Sequence, residues 1–140
     1  MSHEWYDVSC PSTTDETQEA HCTVSPEYAA QLWLDQNRLR WMPRRALLVV
    51  LHNGQERLFR IARTNEHPPT VVETTQSCYV VQLYASAWIL KTGTALFLEN
   101  AQQFKTKGAA QRALNKANNN RHFSYLWPRI LRLAVDEVLS

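Results

Sequence analysis

The stretch Arg45-Ala46-Leu47-Leu48-Val49-Val50-Leu51-His52-Asn53-Gly54-Gln55-Glu56-Arg57-Leu58-Phe59-Arg60-Ile61-Ala62 decides the fold class. Two apolar-rich runs, 45–51 and 56–62, flank His52-Asn53-Gly54-Gln55, and the Asn-Gly pair supplies the positive φ that a tight hairpin turn requires. The spacing predicts an antiparallel hairpin. In its second strand, period-two alternation puts Arg57, Phe59 and Ile61 on one face and Leu58, Arg60 and Ala62 on the other, so the strand is partly cationic. Residues 46–51 are also the longest uninterrupted apolar run, far shorter than the ~20 residues that cross a bilayer as a helix.

Downstream, Pro68-Pro69 breaks the chain and residues 71–75 read as a short β-branched strand. Residues 78–84 and 88–91 are strand-like, Thr92-Gly93 is a turn, and residues 95–98 form a third short strand. Thr106 then caps a helix in which Ala110, Ala113, Leu114 and Ala117 recur at i, i+3, i+4 and i+7, leaving Lys107, Gln111, Arg112 and Lys116 outward. Asn118-Asn119-Asn120 ends it, and residues 129–135 alternate as a closing strand.

Upstream, Ser25-Pro26-Glu27 starts a helix, because Ser accepts a backbone N–H, Pro is tolerated at the first helical position and an acid complements the dipole. Tyr28, Leu32 and Leu39, flanked by Ala29 and Trp33, are expected to form its buried stripe, with Pro43 as the stop. Residues 1–24 mix Ser, Thr, Asp, Glu and Gln around Pro11 and read as a mobile arm with one short strand near Trp5, Tyr6 and Val8. The expected architecture is α+β: a single domain, mostly antiparallel sheet with two helices, at 25–140, preceded by a flexible acidic arm at 1–24. Over 140 residues, 44% hydrophobic composition with five Trp supplies a core without a metal or disulfide staple.

The formal net charge of +2 conceals two poles. Residues 1–37 hold Glu4, Asp7, Asp15, Glu16, Glu19, Glu27 and Asp35 and no Lys or Arg. Residues 38–140 hold all fifteen Lys and Arg against six acids. Either the acidic segment folds back on the basic body or each pole faces its own partner.

Catalytic signatures are absent from the sequence. There is no G-x-G-x-x-G, G-x-x-x-x-G-K-[ST] or H-E-x-x-H, and three Gly do not build phosphate-wrapping loops. His3, His21, His52, His67 and His122 are scattered. A metal site from His3, Cys10, His21 and Cys22 competes with the plainer reading of four solvated arm residues. Cys10, Cys22 and Cys78 sit in no nucleophile context, and Cys78 at the head of an apolar strand is expected as a core thiol. Asp15-Glu16 and Asp136-Glu137 are sequence neighbours that diverge or are solvated, which does not suit acid–base catalysis. We therefore expect no enzyme, no cofactor and no metal. The absence of an apolar leader segment near Met1 leads to an expectation of the cytoplasm.

Cations cluster instead. Arg38, Arg40, Arg44 and Arg45 surround Trp41, Arg57, Arg60 and Arg63 follow on and beyond the hairpin, and Lys105 and Lys107 flank the start of the second helix. Arg suits bidentate phosphate or carboxylate recognition. Arg121, His122, Phe123, Tyr125, Trp127 and Arg129 interleave aromatics with cations, as single-strand-binding surfaces do, although a core edge around Pro128 explains them at least as well.

Ala101-Gln102-Gln103-Phe104-Lys105-Thr106-Lys107-Gly108-Ala109-Ala110-Gln111-Arg112-Ala113-Leu114 resembles a pattern of small bacteriophage- or mobile-element-encoded α+β proteins. In those, antiparallel strands lead into such a turn, an Ala-rich helix and a final strand. The resemblance covers residues 78–135, and Phe104 is expected to plug the helix against the sheet. It implies a host-interaction protein of anti-defence, anti-CRISPR-like type, acting in the host cytoplasm. With the charge split, the expected function is a non-enzymatic inhibitor of a host nucleic-acid-handling protein or nucleoprotein complex. Glu4, Asp7, Asp15, Glu16, Glu19, Glu27 and Asp35 would contact the partner's basic groove. The alternative is direct DNA or RNA binding through Arg38, Arg40, Arg44, Arg45, Arg57, Arg60, Lys105 and Lys107. No membrane partner is expected, and oligomeric state is not legible at this level.

Overall fold

A computed structural model describes residues 2–13, 18–37, 45–62, 68–84, 87–89, 94–95, 101–119 and 128–135. The chain is α+β, with two helices and mostly antiparallel strands, and it gathers into two compact units, Met1–Ser77 with Leu133–Ser140, and Cys78–Arg132.

The first unit is built on the hairpin. β3 (Leu47–His52) and β4 (Gln55–Ala62) pair antiparallel with His52 opposite Gln55, and Asn53 and Gly54 between them have φ of 51° and 76°. These are the left-handed values of a two-residue hairpin turn. β1 (Glu4–Ser9) lies on the other side of β3, β2 (Glu19–Thr23) pairs with β1, and β5 (Thr70–Thr74) pairs with β4. The sheet order is β2-β1-β3-β4-β5. The unbroken apolar run of β3 has a physical reason: Leu48 and Val50 bury beneath α1 (Pro26–Asn37), while Leu47 and Val49 bury on the opposite face with Leu58 and Ala134. A strand covered on both sides does not alternate. Ala134 N–H donates to the Arg45 carbonyl (2.9 Å) and Arg45 Nε donates to the Ala134 carbonyl (3.1 Å), fixing the second covering layer.

Residues 1–24 are therefore not an arm in their described part. Tyr6, Val8 and Cys10 belong to the main core, and Leu47 N–H donates to Ser12 Oγ (2.8 Å). Period-two alternation buries three residues here even though the segment's mean composition is polar. α1 begins as expected, Ser25 Oγ accepting from Tyr28 N–H (3.1 Å). Its buried face is shifted from the expected stripe: the flanking Ala29 and Trp33 do face the sheet, joined by Ala30 and Leu34, whereas Tyr28 is 55% exposed and Leu32 is half-buried. Two Ala allow the helix backbone to approach and one Trp fills the space, so size complementarity outweighs the count of large apolar residues. Leu39 and Pro43 lie outside the described residues.

The second unit combines α2 (Lys107–Asn118) with β6 (Ser77–Tyr84), β7 (Ala87–Ile89), β8 (Thr94–Ala95) and β9 (Arg129–Ala134), the last two residues of β9 counting with the first unit, in sheet order β8-β7-β6-β9. Thr106 Oγ1 accepts from Ala109 N–H (3.2 Å) and caps α2. Ala110 and Ala117, with Ala113 and Leu114 beside them, pack on Val81, Leu83 and Ile89 as the 3.6 period requires. Phe104 exchanges two backbone hydrogen bonds of 2.8 Å with Tyr79 and packs in the same cluster, the plug expected of it. Arg129 Nε donates to Gln82 Oε1 (2.8 Å) and the Arg132 guanidinium lies 5.5 Å from the Tyr79 ring centre, so residue numbers rise on β9 as they fall on β6, an antiparallel pairing. Thr92-Gly93 and residues 96–98 lie outside the described residues.

Candidate protein-binding face

Five of the seven carboxylates expected to contact a partner are described, and all five sit on β1, β2 and α1. Because β2 pairs with β1 and runs through Ser25 into α1, the three acid-bearing elements are neighbours in space as well as in sequence. Asp7, Glu27 and Asp35 are exposed, and Asp35 accepts from Gln31 Nε2 (3.0 Å). Glu19 lies 3.6 Å from His21 Nε2 and accepts from Asn37 Nδ2 (3.4 Å). Among the described residues, no Lys or Arg nitrogen comes within ion-pair distance of these five carboxylates. Asp15 and Glu16 lie outside the described residues.

At one end of this layer the sheet gathers a polar cluster that the sequence does not announce. His52 Nδ1 is 3.0 Å from the Trp5 carbonyl, which can only accept, so Nδ1 carries a proton. His52 Nε2 then faces Glu4 Oε2 at 3.1 Å and Asn53 Nδ2 at 3.1 Å. The imidazole ring stacks on Tyr6 with centres 4.4 Å apart, and the Tyr6 hydroxyl donates to Glu4 (3.4 Å). Burial, then the adjacent Glu4 carboxylate, pushes the Tyr6 phenol above its ordinary pKa. Beside it, Arg57 grips Glu73 bidentately, Nε at 2.8 Å and Nη2 at 2.6 Å, and this hydrogen-bonded guanidinium holds the Glu73 carboxyl below the usual range. His52, Asn53 and Glu73 gain these roles only when β1 lands beside β3 and β5 beside β4, pairings that no local motif encodes.

The cations of the alternative reading are placed differently from one another. Arg45 is buried on the Ala134 carbonyl, Arg57 is engaged by Glu73, and Arg60 is half-buried with further interactions of its own. Lys105 and Lys107 are exposed at the start of α2 in the second unit. Arg38, Arg40, Arg44 and Arg63 lie outside the described residues, as does the aromatic stretch from Arg121 to Trp127. Cys10 and Cys78 are buried and Cys22 is exposed, all three as thiols. Among the described residues no group of three His, Cys, Asp or Glu is arranged to hold a metal ion, and no helix is long and apolar enough to cross a membrane. Comparison with protein families, with curated proteins and with solved structures returns no match.

Proposed function

We propose that the chain is a non-enzymatic binding protein whose anionic layer of β1, β2 and α1 engages a basic groove on a nucleic-acid-handling host protein, standing in for the nucleic acid. The observation that carries this reading is the gathering of Glu4, Asp7, Glu19, Glu27 and Asp35 on three adjoining elements that contain no Lys or Arg. A field of one sign, with no Lys or Arg within ion-pair distance of these carboxylates among the described residues, attracts a basic partner and repels an acidic one. Two of the cations that would serve the alternative reading, Arg45 and Arg57, are already committed to a backbone carbonyl and to Glu73. Origin in a phage or mobile element, and inhibition of host defence in the host cytoplasm, follow from the resemblance of residues 78–135 and belong to the same proposal.

The test is capture of partners from host lysate, with and without nuclease, by the wild-type protein and by the triple variant Glu4→Lys, Asp7→Lys, Glu19→Lys. A protein partner that resists nuclease and is lost with the variant is the expected result. Retention of the partner by a variant with an unchanged melting curve overturns the reading.

A further inference from the structure

The first unit's sheet has two edges, and they are treated unequally. At β5, Val71 N–H donates to Gln31 Oε1 (3.1 Å) and Gln31 Nε2 donates to the Pro69 carbonyl (3.2 Å). One amide side chain of α1 thus occupies a donor and an acceptor two residues apart on the edge, as a neighbouring strand would. Pro68-Pro69 immediately precedes the strand and gives no N–H to pair. Such devices close an edge against addition of another strand. β2, the opposite edge, carries none of them. Glu19–Thr23 contains no Pro, Lys or Arg, and among the described residues no side chain bonds its backbone.

The face beside that edge has its own chemistry. Tyr6 and Val8 point into the core beneath α1, so Trp5 and Asp7 point the other way, and the cross-strand pairs Trp5 with Cys22 and Asp7 with Ala20 share that outer face. All four are exposed, Trp5 at 67%. Ala20 and Cys22 are small, which leaves the indole and the Asp7 carboxylate accessible to a side chain arriving over the edge. An Arg or Lys crossing this shelf lays its methylene stem on the two small residues and presents its cation to an aromatic face and a carboxylate. A second copy of the chain is a poor occupant, because pairing β2 with itself brings two anionic layers together.

We propose that β2 is a docking edge that accepts an extended partner segment bearing Arg or Lys on alternate residues, with the cations lying over Ala20 and Cys22 against Trp5 and Asp7. This rests on the reading of the anionic layer as the binding face and specifies how the partner is held. Backbone hydrogen bonds supply affinity, and the Trp5–Asp7 shelf selects the side chains.

The full chain is titrated with an end-capped peptide of alternating Arg and Val, and with the same peptide N-methylated at alternate backbone nitrogens, which keeps the charge but cannot complete a ladder. Hydrogen exchange of the Glu19–Thr23 amides is followed in both. Expected are slowed exchange within β2, binding at least roughly tenfold weaker for the N-methylated peptide, and a loss of about fivefold with Trp5→Ala or Ala20→Lys. Equal binding of both peptides with β2 exchange unchanged overturns the edge inference. The anionic reading falls on separate grounds, if charge reversal leaves partner capture intact. Failure of the Arg–Val peptide to bind, or protection of β2 by self-association without peptide, also overturns the edge inference.

Discussion

Arg57 and Glu73 show how far one side-chain pair carries at the residue scale. Phe59 lies opposite Glu73 in the β4–β5 register, so Arg57 reaches its partner diagonally across the pair of strands, and both Arg57 nitrogens bond the carboxylate. Hydrogen bonding to Arg57 lowers the Glu73 pKa from its ordinary value of 4.5. A carboxyl whose folded-state pKa is depressed contributes stability above its unfolded pKa and loses it as pH falls through the folded value. Both side chains are nearly half exposed, so solvent screening holds the contribution to about 0.5 kcal/mol. Glu73→Gln is thus expected to be less stable than wild type by about that amount at neutral pH, with the gap closing as the pH falls from 4.5 through the lowered folded-state value and shrinking in ~1 M salt. Denaturant melts across that pH range check it. A gap that stays constant from pH 7 to pH 3 places the stabilisation in packing of the Glu73 stem instead of its charge.

At the scale of elements, the segment most at odds with its composition is β1. It sits between β2 and β3, and its Tyr6 and Val8 complete the core under α1. A chain beginning at Val24 loses β1 and β2 together, which exposes the β3 backbone as a new edge and removes Tyr6, Val8 and Cys10 from the core. Such a chain is expected to be insoluble or to melt more than about 8 °C lower, since loss of large buried side chains costs several kcal/mol. A cooperative melt at the wild-type temperature would mean that the sheet stands without its first two strands. The hairpin around Asn53-Gly54 and the capped helix after Thr106 were legible in the sequence because each is specified within a dozen residues by turn chemistry or period. β1 was legible as a short strand near Trp5, Tyr6 and Val8 but not as part of the core, because its partner β3 lies about forty residues away and only the long-range pairing of Val8 with Val50 reveals its buried face. The face of α1 was read only in part, Ala29 and Trp33 without Ala30 and Leu34, for a related reason. Ala29 and Ala30 look unremarkable as hydrophobes, and only the sheet they approach shows why small residues are needed there. Of the candidate site, the acidic pole was legible from charge alone. The Glu4–His52–Tyr6 cluster and the Trp5–Asp7 shelf were not, since both arise from register across strands.

For the molecule as a whole, the charge split follows the two compact units. Cys78–Arg132 holds eight of the fifteen Lys and Arg against Glu99 alone, while the other unit holds seven Arg against twelve acids. The two units therefore differ in the sign of their net charge. In the second unit Lys105, Lys107, Arg112 and Lys116 are exposed on and beside α2, with no acid among the described residues of that unit. Any affinity for nucleic acid is accordingly expected to reside on α2, in place of the Arg45 and Arg57 of the alternative reading. With about four phosphates neutralised, log affinity for generic duplex DNA falls with log salt at a slope of roughly −3.6, and such a contact is weak at physiological salt. Replacing Lys107, Arg112 and Lys116 with Gln is expected to cut that slope by roughly three phosphate contacts, uniformly across sequences, because phosphate contacts carry no base information. The same triple variant is expected to leave capture of the protein partner intact, since that contact belongs to the acidic unit. Filter binding over a salt series and lysate capture, run on the same preparations, separate the two. Tight DNA binding that survives both the α2 replacements and reversal of Glu4, Asp7 and Glu19, with no protein partner captured, would move the function to direct nucleic-acid recognition by cations outside α2.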